Sequence, residues 1–330
     1  MFIKKASLDD LLGEVLKRLL KSRKRISPTK GEAKELTGVV LELTNPKARL
    51  SQTEMKGTLF SCLGELLWYL SESDRVAPIQ YYLNGYDEFA EPDGTVWGAY
   101  GPRIFNMRGI NQLALVIERL KKNPESRKAV VQLFNAEDIP TENCSYKDVP
   151  CTCHFQFMIR SGKLDMITSM RSNDAFIGLP HDIFAFTMIQ EIVSRSLGKE
   201  IGIYKHMVGS LHLYDDKITK ARAYLAEGFQ STKFQMPPMP LGDPWLALGV
   251  VVENERRIRL NETVDVNAIT VDPYWLDLIK ALTIFRIAKG PSSISADTLK
   301  QIAAIKDSMS CTTYYQYIKK RERVAANGLI

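Results

Sequence analysis

Cysteine is scarce in this 330-residue chain, which carries only five. An odd and sparse set excludes the disulfide framework of a small secreted protein and points to a reducing compartment. No stretch approaches the ~18 apolar residues of a membrane helix. The N-terminal MFIKKASLDDLLGEVLKRLL carries acids where a signal sequence has an uninterrupted apolar core. The expectation is a cytoplasmic protein with no membrane partner. Internal repeats, low-complexity tracts and Gly/Ser linkers are also missing, so no composition break marks a boundary. With 45% hydrophobic residues the chain can bury a sizeable core, and one mixed α/β domain over 1–330 is expected, with a helical extension from about 276. The formal charge of +6 is a modest excess, clustered at KSRKR (21–25) and KKRER (319–323). It suits an anionic small molecule; the clusters read as solvated helix ends, and no nucleic-acid partner is expected.

Ser7 followed by Asp10 reads as a helix cap, and the spacing of Leu8, Leu11, Leu12, Val15, Leu16 and Leu19 predicts a first helix. ELTGVVLELT is β-branched enough for a strand, and 55–71 reads as a mostly buried helix. A helix over 110–122 leads to strand KAVVQLF. HFQFMI and KLDMITSM form a hairpin about Ser161-Gly162, a long helix opens at Pro180 and runs to about Ser196, and IGIYKHMVGSLHLY is a strand. Residues 214–228, 273–288 and 295–320 read as helical.

The densest chemistry lies in VPCTCHFQF, residues 149–157, with Cys151, Cys153 and His154 in four positions. A structural zinc site needs about four ligands, usually from two clusters. Here one cluster stands alone, Cys62, Cys144 and Cys311 have no partner spacing, and no metal is expected. In an extended strand Cys151 and Cys153 point to the same face, which leaves a two-thiol redox pair conceivable. An inert buried cysteine and a single nucleophile are the other readings.

The rest of the chain resembles the thymidylate synthase family. Pro150-Cys151 followed by Gln156-Phe157 is similar to the family's nucleophile segment. RSNDAFIGLPHDI is similar to its run of Arg-Ser, Asp, Leu-Gly and Pro, and GSLHLY carries a His-x-Tyr pair as His212 and Tyr214. GELLWYL resembles the helix bearing the family's glutamate, here Glu65; WGAYG places Tyr100, and NPESRK places an Arg127–Lys128 pair. The resemblance covers roughly 35–275. It implies a thymidylate synthase-like α/β fold, a mixed sheet packed with helices, and an obligate homodimer across the sheet. It also implies Cys151 as nucleophile toward pyrimidine C6, with the thiol pKa lowered by Arg171. Glu65 and Tyr100 are further catalytic residues, Tyr100 for the C5 proton. Arg171 and Ser172 hold the nucleotide phosphate with Arg127 and Lys128 of a second subunit, and either Arg25 or Lys30 joins them. His212 and Tyr214 hold the 3′-hydroxyl. Asp174, Gly178 and Tyr86 face the cosubstrate, 5,10-methylenetetrahydrofolate.

Departures from the family pattern set the expected activity. After GLP the synthase has Phe-Asn, whereas this chain has His181-Asp182. An asparagine amide serves uracil's donor and acceptor together, while an ionised aspartate only accepts and suits cytosine N4 and a protonated N3. Cytosine hydroxymethylases of the superfamily carry aspartate there. Thr152 replaces a histidine of the synthase's O4 network, GYDEFAE replaces a two-tryptophan stretch, and the short closing tail gives way to about fifty helical residues ending in VAANGLI. The last two departures favour water over hydride as the final reactant. The reading is a cytidylate 5-hydroxymethyltransferase acting on dCMP or CMP. A thymidylate synthase, a dCMP 5-methylase and a non-catalytic RNA-binding protein on the same scaffold are the alternatives.

Overall fold

Ser7 separates the first strand from the first helix. Its side chain accepts from Asp10 N at 3.2 Å and caps α1 (Leu8–Lys21), which follows β1 (Phe2–Lys5). Asp9 and Asp10 in the first turn and Arg18 and Lys21 in the last complement the helix dipole, and the leucine stripe is buried. This computed structural model describes residues 1–142, 145–289 and 295–326; Cys144 and the final residues of VAANGLI lie outside the described residues.

The chain continues through β2 (Arg25–Ile26), β3 (Ala33–Leu43), α2 (Leu59–Leu70), α3 (Val76–Gln80), α4 (Tyr100–Phe105), α5 (Gln112–Lys122) and β4 (Val130–Gln132). Next come β5 (Thr152–Arg160), β6 (Lys163–Asp174), α6 (Gly178–Ser196) and β7 (Glu200–Tyr214). Helices α7 (Ile218–Ala226), α8 (Trp245–Arg259), α9 (Pro273–Lys289), α10 (Ala296–Asp307) and α11 (Tyr315–Ala326) complete it. The strands form one seven-stranded mixed sheet, ordered β1-β3-β7-β6-β5-β4, with β2 added on β3. β1–β3 and β6–β7 run parallel and the other pairs antiparallel. The β5–β6 hairpin turns on Ser161 and Gly162, both at positive φ (49° and 76°), the signature of a two-residue turn matched to strand twist.

One face of the sheet is covered. Phe155, Phe157, Leu164, Met166 and Tyr204 are buried there, against α6, itself buried along almost its whole length. The other face is open, with Val130 and Met207 each 41% exposed. A buried ion pair anchors α6: Arg49 Nη2 bonds Glu191 Oε2, both side chains fully enclosed, and Glu191 Oε1 accepts from Met239 N at 2.9 Å.

Several elements differ from the sequence expectation. β1 and α8 were not anticipated. Residues 215–217 form a 3-10 turn before α7, so the helix starts at 218. The expected helix over 295–320 is two helices, because Asp277 on α9 takes the amides of Ser310 (3.0 Å) and Cys311 (2.8 Å) and pins a break there. Cys151 and Cys153 do not share a face: the β5–β6 register shifts between Thr152 and His154, and Cys153 is the extra residue of a bulge, which breaks the strand's alternation.

Replacing Arg49 with Met leaves the buried Glu191 charge with only the longer Arg195 pair, at 3.8 Å, among the described residues. The expected loss is about 3–5 kcal/mol, the usual cost of breaking a buried pair. Urea denaturation measures it, and Arg49→Met/Glu191→Met together should recover most of the loss.

Candidate active site

Cys151 sits just before β5, where Arg171 fastens the loop. Arg171 Nε donates to Pro150 O (2.9 Å), Nη2 to Val149 O (2.8 Å), and its backbone N to Cys151 O (2.9 Å). The guanidinium favours a thiolate, as expected from the sequence, but it does not win. Burial pushes the Cys151 thiol up to about 11, with Asp148 and Asp182 adding to the shift against Arg171. The expectation of a lowered thiol pKa is therefore corrected: the half-buried residue's sulfur is desolvated and feels two carboxyls as well as a cation. Cys153 lies apart, in a groove of the open sheet face with Val130, Gln132, Phe134, His154 and Gln156. Among the described residues no three His, Cys, Asp or Glu side chains come together as a metal site.

Helices α2 and α6 bring Glu65 and Asp182 to the same buried space. Glu65 accepts from Tyr69 Oη within α2. Asp182 Oδ2 accepts from Asn173 Nδ2 at 2.6 Å. Burial, then the Glu65 charge, holds the Asp182 carboxyl well above the usual carboxylate range, against the Asn173 bond and the neighbouring His181. This corrects the premise that Asp182 is simply an ionised acceptor; as an acid it also has an O–H to give. Tyr100 Oη accepts from Thr152 N (3.2 Å) and Thr152 Oγ1 (3.0 Å). Tyr86 packs edge-on to Trp68 at 5.5 Å. Burial pushes the phenols of Tyr69, Tyr86 and Tyr100 well above their ordinary value, so each keeps its proton.

The turn from β6 into α6 forms the next wall. Asp174 Oδ1 accepts from Phe176 N (2.7 Å) and Ile177 N (2.9 Å), which fixes the turn. A Cβ at Gly178 would press on Asn173 Nδ2 at 3.1 Å and meet Asp182 Oδ2 at 3.5 Å, so bare backbone is needed there. On β6 and β7, Ser172 pairs in register with Ser210, and Asp174 with His212. His212 is buried and, among the described residues, its Nδ1 is unpartnered; its ring is edge-on to Tyr214 at 4.9 Å. Arg25 is held by Asp215, next to Tyr214, while Lys30 reaches Glu88 (3.3 Å) and lies over Phe89 (3.7 Å). Arg127 and Lys128 are exposed between α5 and β4, and among the described residues no ion pair holds either of them or Arg171.

Five residues escaped the sequence reading. Asp148 is a largely enclosed carboxyl that acts on Cys151 and accepts no hydrogen bond among the described residues; burial raises its pKa against Arg171. It stands three residues before the nucleophile, and that proximity was the signal available. Lys56 lies over Phe176 (3.7 Å), its pKa lowered to about 8 by burial against the pull of Asp174. Helix α11 packs on its loop: Tyr317 Oη donates to Ser51 O at 2.9 Å, and Lys320 Nζ to Glu54 O. Asn173, Tyr204 and His206 complete the set.

Because Asp148 opposes the thiolate and Arg171 favours it, the two substitutions should move Cys151 oppositely. In a Cys153→Ser background at pH 8, Asp148→Asn should speed iodoacetamide alkylation of Cys151 several-fold, and Arg171→Gln should slow it. Mass mapping of the alkylated peptide checks both.

The thymidylate synthase family model matches residues 8–243, from α1 to just before α8. The chain is 33% identical over 182 residues to the thymidylate synthase of Francisella philomiragia subsp. philomiragia, covering 50% of this chain and 65% of that protein. It is 32% identical over the same length, with the same coverage, to that of Francisella tularensis subsp. holarctica. The chain thus spans 65%, less than two-thirds, of the length of these curated relatives. With the family model covering most of the chain, and Cys151, Arg171, Asp174 and Glu65 gathered in one place, this protein belongs to the thymidylate synthase family.

Proposed function

We propose that the chain is a one-carbon transferase acting on a cytidine monophosphate, a cytidylate 5-hydroxymethyltransferase. The observation that carries this reading is Asp182, a buried carboxyl held by Asn173 where the synthase has asparagine. Cytosine presents N3 as a base and N4–H as a donor. A carboxylic acid matches both at once, giving its proton to N3 and accepting from N4–H. When C6 is attacked, N3 becomes more basic and takes that proton fully; the resulting carboxylate then accepts two N–H bonds. Uracil O4 is far less basic, and a carboxylate facing it meets lone pairs with lone pairs.

Cys151 is a thiol at neutral pH, so its addition to C6 releases a proton, which passes to water while Arg171 favours the sulfur's negative charge. Addition makes C5 enamine-like and nucleophilic. Bound 5,10-methylenetetrahydrofolate supplies the one-carbon unit; Asp174, the bare Gly178 backbone and Tyr86 are the residues that would hold it. Tyr100 keeps its proton and, with Thr152 orienting its oxygen, holds the water that takes the C5 proton and passes it to bulk solvent. The carboxyls and phenols around Glu65 make a polar enclosure, which favours water as the final nucleophile and a hydroxymethyl product. His212 Nδ1, buried and unpartnered, suits a sugar hydroxyl. The open sheet face, with Val130 and Met207 exposed and Ile167 and Ile203 half-buried, supports a homodimer. Arg127 and Lys128 would then serve the partner's phosphate.

A second reading, thymidylate synthase, draws on the names of the relatives. One panel separates the two: dCMP, CMP, dUMP and UMP with methylenetetrahydrofolate, products read by mass, for wild type and Asp182→Asn. Wild type should convert a cytidylate to its 5-hydroxymethyl form. The variant should lose cytidylate turnover by up to a factor on the order of 10⁴, the scale set by a missing designed hydrogen-bond partner, and gain uridylate binding or turnover. A wild-type preference for uracil would contradict the reading.

A further inference from the structure

Behind Asp182 runs a line of buried hydrogen bonds. Asn173 Nδ2 donates to Asp182 Oδ2 at 2.6 Å, Asn173 Oδ1 lies 3.2 Å from His206 Nε2, and His206 Nδ1 lies 2.7 Å from Tyr204 Oη. Tyr204 and His206 have no exposed surface, and Asn173 is 4% exposed. Tyr204 and His206 are two apart on β7 and share its covered face. Asn173 reaches them from the end of β6, and Asp182 from the start of α6.

The protons on this line can be counted. Burial holds His206 neutral, its pKa pushed down to about 3, so the ring has one N–H. The Tyr204 phenol is pushed well above its ordinary value by burial and always has a proton. Among the described residues His206 Nδ1 is its hydrogen-bond partner. Thr168 Oγ1 stands near enough to ease ionisation of Tyr204 but makes no hydrogen bond of normal length. Tyr204 therefore donates to Nδ1, Nε2–H donates to Asn173 Oδ1, and the Asn173 amide donates to Asp182. Every donor points the same way, and aligned bonds polarise one another.

We infer that Tyr204, His206 and Asn173 are positioning residues that make Asp182 Oδ2 a permanent acceptor and leave any carboxyl proton on Oδ1. The inference rests on the reading of Asp182 as the group that meets the base. An untethered carboxylic acid can move its proton between oxygens and so match cytosine in one form and uracil in the other. A tethered one offers a single pattern: a donor at Oδ1 and the second lone pair of Oδ2 beside it. The relay thus converts an ambivalent acid into a selective one. The other groups acting on Asp182 are Glu65 and Tyr69 from α2, Asp174 from the turn before α6, adjacent His181, and Tyr86, Tyr100 and Cys151 across the site. Substitution at Tyr204 or His206 leaves all of them in place.

The test uses Tyr204→Phe, which deletes one hydroxyl, and His206→Leu, which cuts the relay; Tyr204→Phe keeps the test open if the second variant fails to fold. The first readout is the titration of the Asp182 carboxyl carbon by 13C NMR in the ligand-free protein, assigned through Asp182→Asn. The second is the ratio of cytidylate to uridylate kcat/KM. Loss of donors aimed at the anion should raise the titration midpoint, more in His206→Leu, and the ratio should fall roughly tenfold, the scale of one hydrogen bond. A midpoint that does not rise in folded variants overturns the relay. A raised midpoint with an unchanged ratio overturns the selectivity role of the relay, whereas the base-reading role of Asp182 stands or falls on the Asp182→Asn panel.

Discussion

Two carboxyl groups share one enclosed space, and this constraint organises the site. Glu65 and Asp182 cannot both carry charge there without cost, because burial penalises the charge and each would repel the other. The structure relieves it with directed donors: Tyr69 gives its hydroxyl to Glu65, and Asn173 gives its amide to Asp182. The same surroundings hold Cys151 as a thiol and keep three tyrosine protons in place. A site so poised keeps its acids protonated, with Arg171 opposing the carboxyls at the sulfur.

The fold supplies the rigidity that such a site needs. Helix α6 carries Asp182 near its start and the Arg49–Glu191 pair further along, so the chemical end and the anchored end belong to one buried rod. β6 and β7, adjacent and parallel, deliver Arg171, Asn173, Asp174, His206 and His212 in fixed register. Beyond residue 243, where the family match ends, α11 returns to brace the loop that places Lys56 against Phe176.

Much of the site was legible because its residues lie in short runs: Cys151 beside Pro150, and Arg171, Asp174, Gly178 and Asp182 within twelve positions. The first helix and the hairpin at Ser161-Gly162 were legible for the same reason, since capping and turn geometry are local. What escaped depends on distant partners. Tyr204 and His206 look like ordinary strand residues until β7 is laid beside β6. The break before α11 is imposed by Asp277, far back in the chain. In α8, the valine run after Gly249 masks the helix. The bulge at Cys153 undid the two-thiol alternation, and no pattern of residue types reports the burial that lifts Cys151 and Asp182. Beside these few residues, the charge states were the part the sequence hid.

The central claim is that Asp182 meets cytosine as a proton donor to N3. The direct measurement is the 15N resonance of N3 in dCMP or CMP labelled at that nitrogen, bound at neutral pH to Cys151→Ser protein so that no addition follows. The account predicts a displacement toward the protonated position that disappears in Cys151→Ser/Asp182→Asn. An N3 resonance that stays at its free-nucleotide position in bound ligand would contradict it.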